Sequence, residues 1–249
     1  MDVKMKLRYF SDLHLEFIQP KNLERFIRAI PPGMDEVCIL AGDIGNPYQP
    51  SYNLFMEYIS QHFKKAFVIP GNHEYYFHPI DETNALLTSY FQKFDNITLL
   101  NNAYEQYEGH CFIGTTLWSH VTNPVYKIND VYSIPGLDYI QYNRMNRRSV
   151  DFLEDALGKH ERNVVITHHM PSSSLIDVKY LTPIMRPYNQ WYYCDLDERI
   201  VTHKATIKAW FYGHTHTPAD TMLHGIPFLC NPIGYPGENN INFQKSIEL

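Results

Sequence analysis

Five short apolar runs recur along the chain, each leading directly to polar residues of a kind that binds metals. Leu7-Arg8-Tyr9-Phe10 leads to Asp12 and His14, Val37-Cys38-Ile39-Leu40 to Asp43, and Phe67-Val68-Ile69 to Asn72 and His73. Val164-Val165-Ile166 leads to His168 and His169, and Ala209-Trp210-Phe211-Tyr212 to His214 and His216. Runs of this kind predict buried, parallel-type strands. Helical spacing predicts helices around Leu23 to Ile30, ended by Pro31-Pro32-Gly33, and then from Ser51 to Lys65, Asp81 to Phe94, Ser149 to Lys159 and Glu198 to Lys208. Further strands are expected at 97–100, at 103–107 and 110–118 as a hairpin about Glu108-Gly109, and at 220–223 and 227–230 about Gly225. Two aromatic-rich irregular stretches, 119–148 and 171–195, read as lid or rim insertions.

Strands alternating with helices predict an α/β fold. In open α/β sheets, ligand sites lie outside the carboxyl ends of the strands, so the five clusters are placed to meet in one crevice. Taken singly, Asp12 or Asp43 reads as a helix N-cap and His14 or His168 as a hydrogen-bonded histidine. Those readings predict no correlation among the clusters, and convergence of Asp, Asn and His means a metal site. The mixture of hard oxygen and imidazole nitrogen suits Mn, Fe, Zn or Ni. The number of donors exceeds what one ion with an open position uses, which predicts two divalent ions. Because both ends of the sequence contribute, residues 1–249 are read as a single domain.

Five ordered elements carry a resemblance: Ser11-Asp12-Leu13-His14, Gly42-Asp43, Gly71-Asn72-His73-Glu74, Thr167-His168-His169 and Gly213-His214-Thr215-His216. In this set and order the chain resembles the calcineurin-like metallophosphoesterases. The resemblance implies two packed mixed β-sheets flanked by helices, with the metal site at the carboxyl ends of the strands. It implies one ion held by Asp12, His14 and His216, a second by Asn72, His168 and His214, and Asp43 bridging them. His73 would face the substrate as the catalytic acid. Manganese is the preferred ion. The implied reaction is hydrolysis of a phosphoester by in-line attack of a hydroxide bridging the ions. Neighbouring side chains of an extended segment point oppositely, so only one of His168 and His169 is expected to face the ions.

Composition narrows the partners. The formal net charge is −6 and there is no basic stripe, so no stable nucleic-acid partner is expected. No apolar run is long enough to span a membrane, and the four cysteines form no paired motif, which together point to a cytoplasmic protein with reduced thiols. The protein-phosphatase branch of the family carries an arginine in Asp-Arg-Gly and another just before Asn-His-Glu. Here Ile44-Gly45-Asn46-Pro47 follows Asp43 and Pro70-Gly71 precedes Asn72. The expected substrate is therefore a phosphodiester or nucleotide-type phosphoester. A serine/threonine-type phosphatase, a DNA-repair-type nuclease and a catalytically inactive scaffold are the alternatives. The tyrosines of the insertions, interleaved with Asn143, Arg144, Arg147, Arg148 and Arg186, read as packing aromatics or as a rim that stacks a base and pairs a phosphate.

Overall fold

The computed structural model describes residues 4–238 and 242–249. In chain order the strands are β1 (Lys6–Phe10), β2 (Gly33–Ala41), β3 (Phe63–Ile69), β4 (Ile97–Leu99), β5 (Ala103–Tyr107), β6 (His110–Thr115), β7 (Asn163–Thr167), β8 (Ile207–Tyr212), β9 (Ala219–Leu223), β10 (Ile226–Cys230) and β11 (Ser246–Glu248). The helices are α1 (Pro20–Arg28), α2 (Pro50–His62), α3 (Ile80–Phe91), α4 (Asn129–Ser133), α5 (Tyr139–Lys159) and α6 (Asp197–His203). The strands form a five-stranded sheet in the order β11-β1-β2-β3-β4 and a six-stranded sheet in the order β5-β6-β7-β8-β10-β9. In both sheets the central strands run parallel and antiparallel partners lie at edges. This is the two-sheet α/β architecture expected from the sequence.

The apolar runs are continuous because both faces of each strand are buried. Leu7 and Tyr9, Val37 and Ile39, Phe67 and Ile69, Val164 and Ile166, and Ala209 and Phe211 meet between the two sheets. The intervening residues face helices: Cys38, Leu40, Ala66 and Val68 pack with residues of α1, α2 and α3, while Val165, Trp210 and Tyr212 pack with residues of α5 and α6. The four cysteines are all buried and unpaired. No helix among the described residues is long and apolar enough to cross a membrane.

Four elements differ from the sequence reading. The irregular stretch expected through residue 148 ends earlier, because α5 begins at Tyr139 with the Asp138 carboxylate accepting from the Gln141 N–H. Its buried face there is Tyr142, Asn146 and Ser149, too polar to signal as apolar periodicity. Asn146 is satisfied by donating to Trp118 O at 2.6 Å. The helix expected to reach Lys208 stops at His203, since Ile207 onward pairs with β7. Likewise Phe63 to Lys65, expected in a helix, belong to β3. The three-residue β11, too short to signal, lies antiparallel to β1.

The two irregular stretches hold each other. Trp191 donates its indole N–H to Tyr126 O, and Gln190 accepts from the N–H groups of Thr122 and Asn123. Trp191 and Tyr142 are fully buried with Tyr75 and Trp118 in a separate small core beneath this layer.

Candidate metal centre

The carboxyl ends of β1, β2, β3, β7 and β8 deliver all the motif residues to one place, and the backbone there is unusual. Asp12, His14, Asp43, His214 and His216 are five of the eleven non-glycine residues with positive φ among those described. Left-handed backbone at non-glycine positions costs energy and concentrates at functional sites. Two glycines explain their place in the motifs. Gly42 has φ +84°, and a Cβ on Gly71 would lie 2.2 Å from Asp43 Oδ1.

Asp12, His14 and His216 form one group in which each offers a donor atom within 4.8 Å of the others, and Asp43, His168 and His214 form another. His216 Nε2 is 2.9 Å from His14 Nε2 and 3.4 Å from Asp12 Oδ1. His168 Nε2 is 2.9 Å from Asn72 Oδ1. The Asp43 carboxylate joins the groups: its Oδ2 lies 3.3 Å from His168 Nε2 and 3.8 Å from His14 Nε2, while its Oδ1 accepts the His73 backbone N–H at 2.8 Å.

These contacts make chemical sense around cations. Nδ1 of His14 faces Glu16 at 3.3 Å, and Nδ1 of His216 faces Glu238 at 2.8 Å. With both Nδ1–H groups so committed, the two Nε2 lone pairs point at each other. Nδ1 of His168 donates to Ala41 O, and the Asn72 amide donates to Asp130, which likewise sets a nitrogen lone pair against the Asn72 oxygen. A proton or a metal ion between such acceptors satisfies both. His214 Nε2 is buried with no hydrogen-bond partner at all. The residues therefore fit a divalent metal centre, in which histidines held by carboxylates and carbonyls are the usual arrangement.

The charge balance carries a testable consequence. Burial pulls His168 down, but Asp43 outweighs it and carries the imidazole up to about 10. For His216, burial is likewise overcome by Asp12 and then Glu238, giving about 9. Burial and the charge of His168 push His169 down to about 3, and His214 is also lowered, by burial and its histidine neighbours. In the metal-free protein His168 and His216 thus hold protons at neutral pH, and an ion must displace them. Loading with Mn²⁺ at pH 7 is expected to release protons, and the affinity to fall as pH drops below about 10, where His168 is protonated, and more steeply below about 9, where His216 follows. Calorimetry in buffers of different ionisation enthalpy checks both, and zero proton release contradicts them.

His169 stands outside the donor groups. Its Nδ1 faces Thr116 O at 3.1 Å and its Nε2 faces the Tyr142 hydroxyl at 2.9 Å, so both ring nitrogens are engaged away from those groups. His73 lies at the edge, 6% exposed, with Nδ1 2.9 Å from Glu16 Oε1 and Nε2 3.2 Å from the Tyr235 hydroxyl. Burial opposes its charged form, but Asp43 and Glu16 raise its pKa.

Sequence reasoning assigned no role to Glu16, Glu74, Asp130 or Glu238. Glu16 Oε1 faces both His14 and His73. Its signal was the Asp12-x-His14-x-Glu16 spacing. Glu74 accepts the backbone N–H groups of Asp43, Ile44, Gly45 and Gly71, moulding two motif loops against each other. It stands within a quoted motif. Asp130 and Glu238 lie in stretches without a motif.

Of the donors, Asp12, His14 and His168 are fully buried, while Asp43, Asn72, His214 and His216 line a cleft of about 410 Å³. Tyr76, Tyr180, Tyr188, Tyr192 and Tyr235 line it with Ile128, Met170, Ile176 and Met185. Tyr235 is the one residue of the turn-rich segment 231–237 that lines the cleft. None of Arg144, Arg147, Arg148 and Arg186 lines the cleft, so the arginine part of the rim idea fails. They sit on the outward side of α5 or in the 171–195 layer, and the basic residue that does line the cleft is Lys127.

The family model for calcineurin-like phosphoesterases matches residues 5–218. A functionally uncharacterised protein of Acanthamoeba polyphaga mimivirus is 33% identical, over 98% of this chain and 96% of its own. Among solved structures, the phosphopantetheinyl hydrolase of Mycobacterium tuberculosis superposes with a TM-score of 0.77 at 16% identity, covering 96% of this chain and 92% of that one. A dimetal phosphatase of Danio rerio superposes with a TM-score of 0.52 at 11% identity, covering 96% and 89%. The motif loops, the two-sheet fold and these likenesses agree, and the chain belongs to the calcineurin-like phosphoesterase family as a metal-dependent phosphoester hydrolase.

Proposed function

We propose that the protein is a dinuclear phosphodiesterase acting on nucleotide-type esters. One ion is held by Asp12, His14 and His216, the other by Asn72, His168 and His214, and Asp43 bridges them. Manganese is the preferred ion, with Fe, Zn or Ni as alternatives. The observation that carries the reading is that one oxygen, Asp43 Oδ2, serves both donor groups while Oδ1 is fixed by a backbone N–H. The Danio rerio protein, described as a dimetal phosphatase, supports it by analogy of fold.

Divalent ions bound here supply a hydroxide nucleophile at neutral pH and neutralise charge on the phosphoryl oxygens. The protein does the rest. Glu16 orients His73, whose raised pKa keeps a proton at the cleft edge for the departing oxygen. Tyr76 stacks on the His73 ring at 4.0 Å and 24°, fixing its plane. The tyrosine walls offer flat apolar surface for a base or similar group, and the cleft volume suits a ligand of that size.

The diester preference rests on the cleft holding no arginine and a single lysine, Lys127. A dianionic monoester gains more from cationic clamps than a monoanionic diester does. The Mn-loaded protein is expected to turn over bis(p-nitrophenyl) phosphate and cyclic or dinucleotide diesters more efficiently than phosphopeptides, by kcat/KM. A preference for phosphopeptides reverses the assignment toward a protein phosphatase, and absence of turnover on every ester class favours the inactive-scaffold alternative.

A further inference from the structure

We infer that Asp130, on α4 of the first irregular stretch, is the positioning residue that presents Asn72 to the second ion and so ties a wall of the cleft to the metal centre. The inference rests on the proposed donor set. An asparagine amide can turn either its oxygen or its NH₂ toward a site, and only the oxygen ligates. The partner on the far side decides which. Asp130 is 1% exposed, and its Oδ1 accepts the Asn72 amide at 2.8 Å. An oxygen that accepts takes the NH₂ end and leaves Asn72 Oδ1 facing His168 Nε2 at 2.9 Å.

The same carboxylate does more. Its Oδ1 also accepts the Tyr76 hydroxyl at 2.7 Å, and Tyr76 is the ring stacked on His73. Its Oδ2 lies 3.5 Å from the hydroxyl of Tyr142, which also contacts His169. The chain here is docked locally, with Phe77 N–H donating to Ser133 O at 2.7 Å. Lys127, Ile128 and Asn129, immediately before Asp130, line the cleft. A ligand pressing on that wall and an ion at Asn72 therefore act on one short segment.

The test is calorimetric titration of the metal-free full chain with MnCl₂, alongside its thermal unfolding. The native protein is expected to take up two ions. Asp130→Leu is expected to keep one and weaken the other about 10- to 100-fold, the usual effect of losing a group that orients a ligand. Asp130→Asn retains an acceptor oxygen and is expected to lose less. In an Asn72→Asp background an oxygen faces the ion whichever way the side chain turns, so Asp130→Asn should there cost the second ion clearly less than in the native background, a loss of dependence that a merely structural role does not produce. If Asp130→Leu does not fold, this pair of asparagine variants decides. Unchanged binding in Asp130→Leu, an equal loss of both ions, or an equal loss in both backgrounds overturns the inference. A native protein that binds fewer than two ions overturns the donor set and this inference with it, whereas two native ions with an unaffected variant overturn the inference alone.

Discussion

Exchanging Asp43 for asparagine is expected to cost both ions and, with them, nearly all activity. The two oxygens of Asp43 have separate duties, one accepting the His73 N–H and the other facing both donor groups. An asparagine can fill only one. With its oxygen on the N–H, its NH₂ points at the cations; turned over, NH₂ meets N–H. The loss of a negative charge compounds this, because the buried carboxylate is held well below its ordinary pKa by His168, His73 and His14 despite burial, and is ionised at any working pH. Metal affinity should fall by more than the ~10–100-fold seen when only an orienting residue is lost. Elemental analysis after gel filtration, with turnover of an aryl diester, reads the result. A variant that keeps two ions and full rate would mean that Asp43 does not bridge.

His73→Asn is expected to separate chemistry from binding. His73 belongs to neither of the two groups that carry the proposed ions, so both ions should remain. On a substrate with an alkoxide leaving group, turnover should fall by about 10² to 10⁴, the usual yield of general acid catalysis. A p-nitrophenyl ester needs little protonation as it leaves, and its loss should be clearly smaller. Equal losses on both substrates would assign His73 to phosphate positioning, and missing metal would make it a ligand. The Tyr235 hydroxyl stands 3.2 Å from its Nε2, beside the proton that would be transferred.

The parts of the fold that were legible in the sequence share one physical cause. Strands buried on both faces must be apolar throughout, and loops at their ends carry the chemistry, so Val37 to Asp43 or Val164 to His168 announces itself. The start of α5 did not, because Tyr142 and Asn146 pay for burial with hydrogen bonds instead of apolar area. The supporting carboxylates were hidden for a different reason. Asp130 and Glu238 act across 58 and 22 residues of sequence, on Asn72 and His216, and no local spacing reports such a contact, whereas Glu16 had a local sign in its spacing from His14 but none of its reach to His73.

The Asp12 carboxylate receives the backbone N–H of His214, 202 residues further along the chain. During synthesis, the first donors therefore exist long before their partners, and the β10 strand that flanks β8 is made later still. The complete proposed donor set therefore exists only once both sheets are built, and an ion that needs all of it is expected to bind the finished fold. Its contribution follows mass action on the native state, growing with ion concentration, and it works by retarding escape from that state instead of hastening arrival. The polypeptide must reach its native form on its apolar pattern alone, and the metal then acts as a lock on a structure already built.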